Sequence, residues 1–510
     1  MKEPGFPIIK LDRYDLISFG MIALILIFSL IRFNYLPQFV DGYYHLSAAT
    51  GFIKSGGWVG WSWWDYAPLG RPQVYPPLYH FLLAFIQKLG LSGLDSLRIT
   101  EVLIAPLFFF ISWFVLRKIV SSWFAFINLL TLSSFFSFYA HSSANVPATI
   151  ALIFGFLSWY FFKKGKWISA SLFLILSFYT HGGIPWIFFI SFLSVMLIKK
   201  YRLISLKIVL ISLTGALPVF FHQFRYLEYL QFHFTGQIYF IHFSIFILVL
   251  GSISLFSHRE RDLKSSLFLG YLIGSLIIFF KYPYRLLCAQ GIIGFVFFSS
   301  FLLEKYFEKL NSLPKKTIFI LVCIYLLFFH STIDLSQGKK PEFNLTNSTY
   351  FNFLTGNTDK VLEFKSLFWP KYYRSIVEVI RENTGEREII SSNLKIMAQI
   401  FSSLTGRVSS NSMLYEVKPQ MPALSIYAPA RLIVWIKPAD KTLVFLKKKL
   451  GWVKIYENDI AFVFRNPNAE ACVYSIKAKI SFKYVYIVLI IFFFIFILDN
   501  VKIKKYYGRR

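Results

Sequence analysis

A series of long apolar segments separated by short polar connections confines this chain to folds that lie in a membrane. Of its 510 residues, 56% are hydrophobic and 60 are Phe, more than a water-soluble domain carries. In lipid, such segments satisfy their backbone hydrogen bonds by forming helices. Several are shorter than the roughly 20 residues that a straight spanning helix needs. The predicted segments lie near 16–36, 98–116, 123–140, 147–162, 167–180, 184–198, 206–221, 241–256, 266–280, 286–303, 316–331 and 482–499.

Lys and Arg residues concentrate in every second connection between these segments. They occur at 117–118 and 199–202 and in the tail at 502–510, whereas the connections at 141–147 and 181–183 contain neither residue. Because basic connections stay on the cytoplasmic side of a membrane, this alternation predicts that both termini are cytoplasmic. The loop after the first segment is then outside the cell membrane.

The charge and the cysteines exclude several classes of function. The formal net charge of +28 is spread over the short connections, where it orients helices, so we expect no nucleic-acid partner. Cys288 and Cys323 fall inside apolar segments and Cys472 stands alone, which excludes a disulfide framework and a cysteine-based zinc site. The sequence contains neither a Walker A loop nor an HExxH pair, so ATP-driven and zinc-protease chemistry lack support.

The first outer loop, at 37–97, carries the main candidate for chemistry. It opens with Asp41 in the string DGYYHL. A carboxylate beside a membrane is costly unless it has a partner or a function. Many aromatic residues follow it, and these suit a membrane interface. Two interpretations remain open, an aromatic belt beside a solvated acid and an acid that serves a site. The apolar run at 78–91 is too short to cross and predicts a helix along the outer face.

Further polar residues are assigned to the same outer side. Lys281 and Arg285 depart from the rule that outer connections contain few cations, which indicates either a bound anion or contacts with lipid phosphates. The second outer loop, at 139–149, contributes His141 and Asn145. Histidines on this side give weak support for a polar pocket, and they are His45, His80, His141, His181, His222, His233 and His242.

After residue 331 the apolar runs shorten and turn residues become frequent, as in a domain outside the bilayer. We predict a transmembrane part at 1–331, an extracytoplasmic α/β domain at 332–479, and a last span with a basic tail at 480–510. Within the domain, the patterns predict helices at 369–382, 394–404 and 441–449, and strands at 388–391, 431–436, 452–456 and 460–464.

Three features taken in order resemble the GT-C membrane glycosyltransferases. They are the acid in DGYYHL, the segment GRPQVYPPLYH that contains Tyr75, and Arg98 at the start of the second apolar segment. The resemblance implies an α-helical polytopic membrane protein with about 12 transmembrane helices and a small C-terminal extracytoplasmic α/β domain. It also implies transfer of a sugar from a polyprenyl-phosphate-linked donor to a protein, lipid or glycan acceptor at the outer face, among membrane lipids.

The resemblance assigns roles to particular side chains. Asp41 becomes the base that takes or orients the acceptor proton. Arg285 and Lys281, with Arg71 as a further candidate, bind the donor phosphate. The predicted substrate pocket consists of His45, Tyr44, Tyr75, His80, His141 and Asn145. A divalent metal ion, Mg²⁺ or Mn²⁺, held by Asp41, His45 and His141 is one alternative, and a site without a cofactor is the other.

Other functions remain open at this stage. The string WWDY at 63–66 is similar to the start of a motif of oligosaccharyltransferases, but it lies in the first loop and Ala67 follows it. The outer domain is also short for the sequon-reading machinery of those enzymes. We therefore favour a transferase of single sugars or of an unidentified glycan. A lipid-linked glycan flippase would need polar residues in mid-span, whereas most charges lie at span ends. A non-catalytic scaffold is the third alternative.

Overall fold

Helices dominate the computed structural model of the protein. It describes residues 11–31, 33, 40–144, 146–229, 240–257, 262–307, 312–336, 340–356, 370–412, 426–469, 473 and 475–507. The helices up to residue 224 are α1 (Arg13–Ile31), α2 (Val40–Ser55), α3 (Leu78–Lys88), α4 (Gly93–Ile119), α5 (Ser122–Ser134), α6 (Phe136–Ala144), α7 (Val146–Lys163), α8 (Trp167–Thr180), α9 (Ile184–Val195) and α10 (Arg202–Phe224). The later helices are α11 (Ile245–Ser257), α12 (Leu263–Phe279), α13 (Pro283–Leu287), α14 (Ile292–Phe307), α15 (Leu313–Ile324), α16 (Thr349–Leu354), α17 (Pro370–Asn383), α18 (Lys395–Thr405), α19 (Lys441–Leu450) and α20 (Phe482–Tyr507).

The strands are short, and within the described residues they belong to four small sheets. They are β1 (Gly57–Trp58), β2 (Trp61–Ser62), β3 (Arg71–Pro72), β4 (Phe240–Ser244), β5 (Thr332–Ser336), β6 (Glu342–Asn344), β7 (Ile389–Ser392), β8 (Val408–Ser409), β9 (Leu432–Ile436), β10 (Val453–Glu457), β11 (Ala461–Arg465) and β12 (Ile480–Ser481).

The apolar helices make this a multi-pass membrane protein. In the part of the chain that the structure describes, six helices are long and apolar enough to cross a membrane, and five shorter apolar helices accompany them. The six are α1, α4, α7, α10, the segment Pro283–Phe307 and α20. Each predicted apolar segment overlaps a helix, although the ends shift, as where α4 begins at Gly93 with Ser92 as its cap. The total of about 12 spans stays a prediction.

Close helix contacts hold the bundle together. A Cβ atom at Gly270 of α12 would come within 2.5 Å of Ser191 Cα on α9, and one at Gly274 within 2.9 Å of Ile187 Cα. Only glycine at these positions lets the two backbones approach so closely. Small residues spaced by four produce such packing where lipid surrounds the helices.

The predicted segment at 123–140 is interrupted between α5 and α6. Phe135 takes an extended conformation and forms a bridge with Ser348. The ring of Phe135 stacks on His330 at 5.2 Å, and His330 Nδ1 lies 2.7 Å from Ser134 Oγ. This break separates α6, which carries His141, from α5.

A compact α/β unit follows the bundle. Its five strands lie in the order β10-β11-β9-β7-β8, with β9 antiparallel to β11 and parallel to β7. The predicted helices and strands of this region are confirmed to within a few residues, including the hairpin between β10 and β11. By contrast, β5 pairs with β4, and α16 packs on α5. The segment directly after the predicted boundary at residue 331 therefore packs with the helices and not with the five-stranded sheet.

The α/β unit also holds the first loop in place. Gln399 Nε2 of α18 donates a hydrogen bond to Ser47 Oγ of α2 at 3.0 Å, and the Ala67 amide donates to Ser409 O at 2.9 Å. Tyr43 of α2 is fully buried in the core of this unit. The first part of the outer loop forms helix α2. That helix carries Asp41 and is fixed by residues that lie more than 350 positions later.

Candidate active site

Asp41 and Arg285 lie close together at one end of the helix bundle. Asp41 occupies the first turn of α2, where the helix dipole favours a carboxylate, and its side chain is exposed. Its carboxylate interacts electrostatically with the guanidinium group of Arg285. The two residues were predicted separately from the sequence. The structure brings them into one site.

Arg285 is arranged to accept an anionic ligand. It lies on α13, a single turn that Pro283 opens, and its Nε donates a hydrogen bond to Tyr284 Oη at 2.9 Å. Its Nη1 atom is buried and has no hydrogen-bond partner among the residues that the structure describes. A buried N–H without an acceptor is costly, so an acceptor oxygen from a ligand would satisfy it. The guanidinium fork matches the geometry of phosphate and carboxylate groups.

Two neutral histidines stand beside Arg285. Burial and the charge of Arg285 lower the pKa of His141 to about 4 and the pKa of His181 well below its usual value. His181 Nδ1 accepts hydrogen bonds from the amides of Gly183 and Ile184 at 3.0 and 3.2 Å. The proton of His181 therefore resides on Nε2. These rings supply hydrogen-bonding groups to the site without adding charge to it.

An aromatic cluster forms one side of the site. The ring of Tyr75 lies 4.8 Å from His45, 5.8 Å from His80 and 6.1 Å from His181, and Tyr75 also interacts with Arg285. Tyr44 lies 6.2 Å from Tyr75. Four of the predicted pocket residues thus form one group next to Arg285.

His45 and His80 form a buried hydrogen-bonded pair. His45 Nδ1 and His80 Nε2 are 2.9 Å apart, and both side chains are buried. Burial lowers the pKa of His80 to about 3, and burial together with His80 lowers the pKa of His45 well below its usual value. Both rings are therefore neutral near pH 7. They support Tyr75 and do not act as charged phosphate ligands.

This histidine pair makes the stability of the fold depend on pH. The unfolded chain protonates these rings near pH 6.5, whereas the folded protein resists protonation down to about pH 3 at His80. The contribution of neutral His80 to the free energy of unfolding is fully present above about pH 6.5. Below that pH it falls by about 1.4 kcal/mol per pH unit. We expect the temperature of thermal unfolding in detergent to fall with decreasing pH in this range. In His80→Gln this fall should be less steep. An equally steep loss in His80→Gln would contradict the assignment.

The structure gives Arg71 a partner other than a phosphate. Arg71 is completely buried, and its Nη2 donates to Asp65 Oδ2 at 2.9 Å and to Ser412 Oγ at 3.5 Å. Ser412 donates in turn to Gln399, which holds α2 through Ser47. The positive charge of Arg71 is thus balanced inside the protein. We therefore replace its predicted role in phosphate binding with a structural one.

Breaking the Arg71–Asp65 pair is expected to destabilise the loop. Asp65→Ala leaves a buried guanidinium group without its counter-charge, which costs about 3–5 kcal/mol. The double change Asp65→Leu with Arg71→Met removes both charges and should cost less. Denaturant unfolding in detergent measures both effects. If the single variant is no less stable than the double variant, the pair does not have this structural role.

The structure does not connect two further predicted residues to the site. Lys281 is exposed just after α12, four residues before Arg285. Asn145 lies outside the described residues. The roles predicted for both therefore stay predictions.

The predicted metal ligands do not form a metal site. Within the described ranges, no three His, Cys, Asp or Glu side chains are placed to hold a metal ion, and these ranges include Asp41, His45 and His141. His45 instead pairs with His80, and the His141 ring lies 5.9 Å from Tyr284. This set does not fit Mg²⁺ or Mn²⁺, and the chemistry below uses only the side chains.

Some site residues were not singled out from the sequence. Tyr284 is visible in the string KYPYR, but nothing in the sequence indicates that its hydroxyl accepts a hydrogen bond from Arg285. The pair of His242 and Asp334, 2.8 Å apart, joins two strands. His242 was noted only as one of several outer histidines, and the sequence gives no signal that it pairs with Asp334.

A helix bundle with an acid in its first loop and an α/β unit after it defines a class of fold. This fold is similar to the folds of the solved structures of ArnT and of an archaeal oligosaccharyltransferase. No protein family model matches the sequence, and the search of curated proteins finds no match.

The similarity to particular solved structures extends over most of the chain. ArnT from Cupriavidus metallidurans bound to undecaprenyl phosphate matches with a TM-score of 0.57 and 12% identity, over 88% of this chain and 97% of that one. The same protein in the apo state gives 0.56 and 13%, over 89% and 98%. The archaeal oligosaccharyltransferase AglB from Archaeoglobus fulgidus, in complex with an inhibitory peptide and a dolichol-phosphate, gives 0.52 and 11%, over 89% and 74%.

Proposed function

We propose that this protein transfers a sugar from a polyprenyl-phosphate-linked donor to an acceptor at the outer face of the cell membrane. The observation that carries the proposal is the exposed carboxylate of Asp41 beside Arg285, whose buried Nη1 has no acceptor among the described residues. The shared fold supports it, because the matching structures of ArnT and AglB hold undecaprenyl phosphate and a dolichol-phosphate.

In this proposal, the two charges act on opposite partners of the reaction. Arg285 binds the donor phosphate through its Nη1 and stabilises the negative charge that grows as the bond to the sugar breaks. Asp41 accepts the proton of the acceptor hydroxyl or amine as this group attacks the anomeric carbon. His181 and Tyr75 line the space between them and orient the sugar by hydrogen bonds.

An apolar cleft whose lining begins directly after β4 suits the lipid tail of the donor. It has a volume of about 350 Å³. Its lining is Ile245, Phe246, Val249, Leu250, Tyr325, Ser331 and Phe343. It starts directly after β4, and β4 packs on α13, the helix that carries Arg285. A prenyl chain in this cleft would exchange lipid contacts for protein contacts while its phosphate reaches Arg285.

Transfer of an oligosaccharide to protein is the second candidate, which the similarity to AglB favours. The WWDY string argues against a sequon-reading role in this chain. Trp63, Trp64, Asp65 and Tyr66 are all buried, and Asp65 is paired with Arg71. These residues build the loop and are not accessible to a peptide. We therefore place the transfer of single sugars, or of a glycan of another kind, ahead of oligosaccharide transfer to protein.

Reconstitution tests the proposed activity. The purified protein is placed in liposomes with lipid-linked sugars extracted from the native membrane, and the release of free polyprenyl phosphate is followed by mass spectrometry. We expect release that depends on both the protein and an acceptor fraction. Movement of intact lipid-linked sugars between leaflets without any release would instead indicate a flippase.

A further inference from the structure

His242 and Asp334 form a dyad that the proposed reaction has not yet used. They lie opposite each other on the antiparallel strands β4 and β5, and His242 Nδ1 is 2.8 Å from Asp334 Oδ1. Thr332 Oγ1 also donates to Asp334 Oδ1 at 2.7 Å, and Asn344 Nδ2 to Oδ2 at 3.4 Å. Strand pairing and these hydrogen bonds fix the carboxylate, so that it in turn fixes the imidazole.

The carboxylate of this dyad is ionised. Burial raises the pKa of Asp334, but the hydrogen bonds from His242 and Thr332 outweigh that effect and lower it below its usual value. The carboxylate oxygen of Asp334 lies 2.8 Å from His242 Nδ1, and this close contact orients the imidazole. The second ring nitrogen, Nε2, is then the one left to exchange a proton with a ligand.

The dyad lies on the side of the candidate site where Arg285 is proposed to bind the donor phosphate. Its strand β4 packs on α13, which carries Arg285, and the buried Cys288 is hydrogen-bonded to the backbone of His242. His141 interacts electrostatically with both Arg285 and His242, so the three side chains lie near one another. The side chains of His242 and Asp334 are 34% and 22% exposed, so the imidazole ring is accessible to a ligand.

We propose that His242, oriented by Asp334, is the acid that protonates the departing phosphate. The inference rests on the proposed function. The bond between the anomeric carbon and the phosphate oxygen breaks, its electron pair stays on that oxygen, and the Nε2 proton of His242 moves to the phosphate. The acceptor atom forms the new bond to the anomeric carbon and gives its own proton to Asp41. Exchange with water then restores both side chains.

The neighbours of His242 are consistent with this role. The groups that face it from other elements are Asp334, His141, Arg285 and Cys288, and Glu342 lies opposite Asp334 on β6. Arg285 would neutralise the charge that the phosphate carries before the reaction. A protonated His242 would neutralise the charge that appears as the bond breaks.

A comparison of His242→Gln with the native protein tests the proposal. We expect the variant to bind a short-chain prenyl phosphate almost as tightly as the native protein and to lower kcat about 100-fold. The pH profile of kcat should differ between the variant and the native protein, because the variant lacks the proposed acid. The leaving group of a phosphorothioate donor depends less on protonation. The loss of kcat in His242→Gln should therefore be smaller with this donor. Glu342→Gln, which removes a nearby charge on β6, is the matched control and should keep the native rate.

Asp334→Asn provides a second variant if His242→Gln does not fold. It should lower kcat in the same direction, because the imidazole loses its orientation. If the variant that folds keeps the native kcat and pH profile while Arg285→Ala loses prenyl phosphate binding, the role of the dyad is refuted and the proposed function stands. If the native protein binds no prenyl phosphate and releases none from lipid-linked sugars, the proposed function itself fails.

Discussion

Asp41→Asn is expected to lower the rate of sugar transfer about 10³-fold while the protein still folds and binds donor. The amide keeps the shape of the side chain but cannot take a proton from the acceptor, and general base catalysis accounts for about 10²–10⁴-fold in rate. Asp41 is exposed in the first turn of α2, where an isosteric amide is accommodated without repacking the core. Transfer rates with purified, reconstituted protein measure the effect, and binding of a short-chain prenyl phosphate shows that the donor site is intact.

A matched variant separates the loss of this acid from a general loss of negative charge. Asp459 is exposed in the hairpin between β10 and β11 of the α/β unit. We expect Asp459→Asn to keep the native rate. Asp41→Glu should retain part of the activity, because its carboxylate is displaced by one methylene group. Native activity in Asp41→Asn would remove the proposed base from the mechanism.

Arg285→Ala is expected to weaken the binding of a short-chain prenyl phosphate about 100-fold. A hydrogen bond to a charged group contributes about 1.5–3 kcal/mol, and Nη1 is the donor that the phosphate would satisfy. The rate of transfer should fall as well, because the charge on the leaving group then lacks its main stabilising group. Arg285→Lys should recover part of the binding, since it keeps the charge but not the two-pronged geometry.

Calorimetry or a fluorescent prenyl phosphate measures this binding. The control is Arg374→Ala on α17, because Arg374 is highly exposed and pairs only with Glu378 among the partners that the structure gives it. That variant should bind prenyl phosphate as the native protein does. An unchanged Kd in Arg285→Ala would mean that the anion binds elsewhere.

The membrane class and the elements of the α/β unit could be read from the sequence because both follow from local patterns. Apolar runs and alternating basic connections reflect the cost of placing charge and unpaired backbone in lipid. Helix α18 and strand β9 follow the periodicity of their own residues. Helix α2 has no such local pattern, since its burial comes from Gln399 and other distant residues rather than from an apolar face of its own.

The candidate site was only partly predictable, for a related reason. Asp41 and Arg285 each stood out as charges at predicted membrane boundaries. Arg71 was a further candidate in the middle of the first loop, but Asp65, six positions before it, neutralises its charge in the fold. The dyad of His242 and Asp334 depends on pairing between β4 and β5, which lie far apart in the chain. Such long-range pairing leaves no local signal.

The most direct test of the central claim is mass spectrometry of lipid-linked sugars and of glycans from cells that lack the gene and are supplied with the native or the Asp41→Asn protein. The account predicts that Asp41→Asn cells accumulate a polyprenyl-phosphate sugar and lack the glycan that the native protein restores. Identical lipid-linked sugars and glycans in the two strains, at equal protein levels, would contradict it.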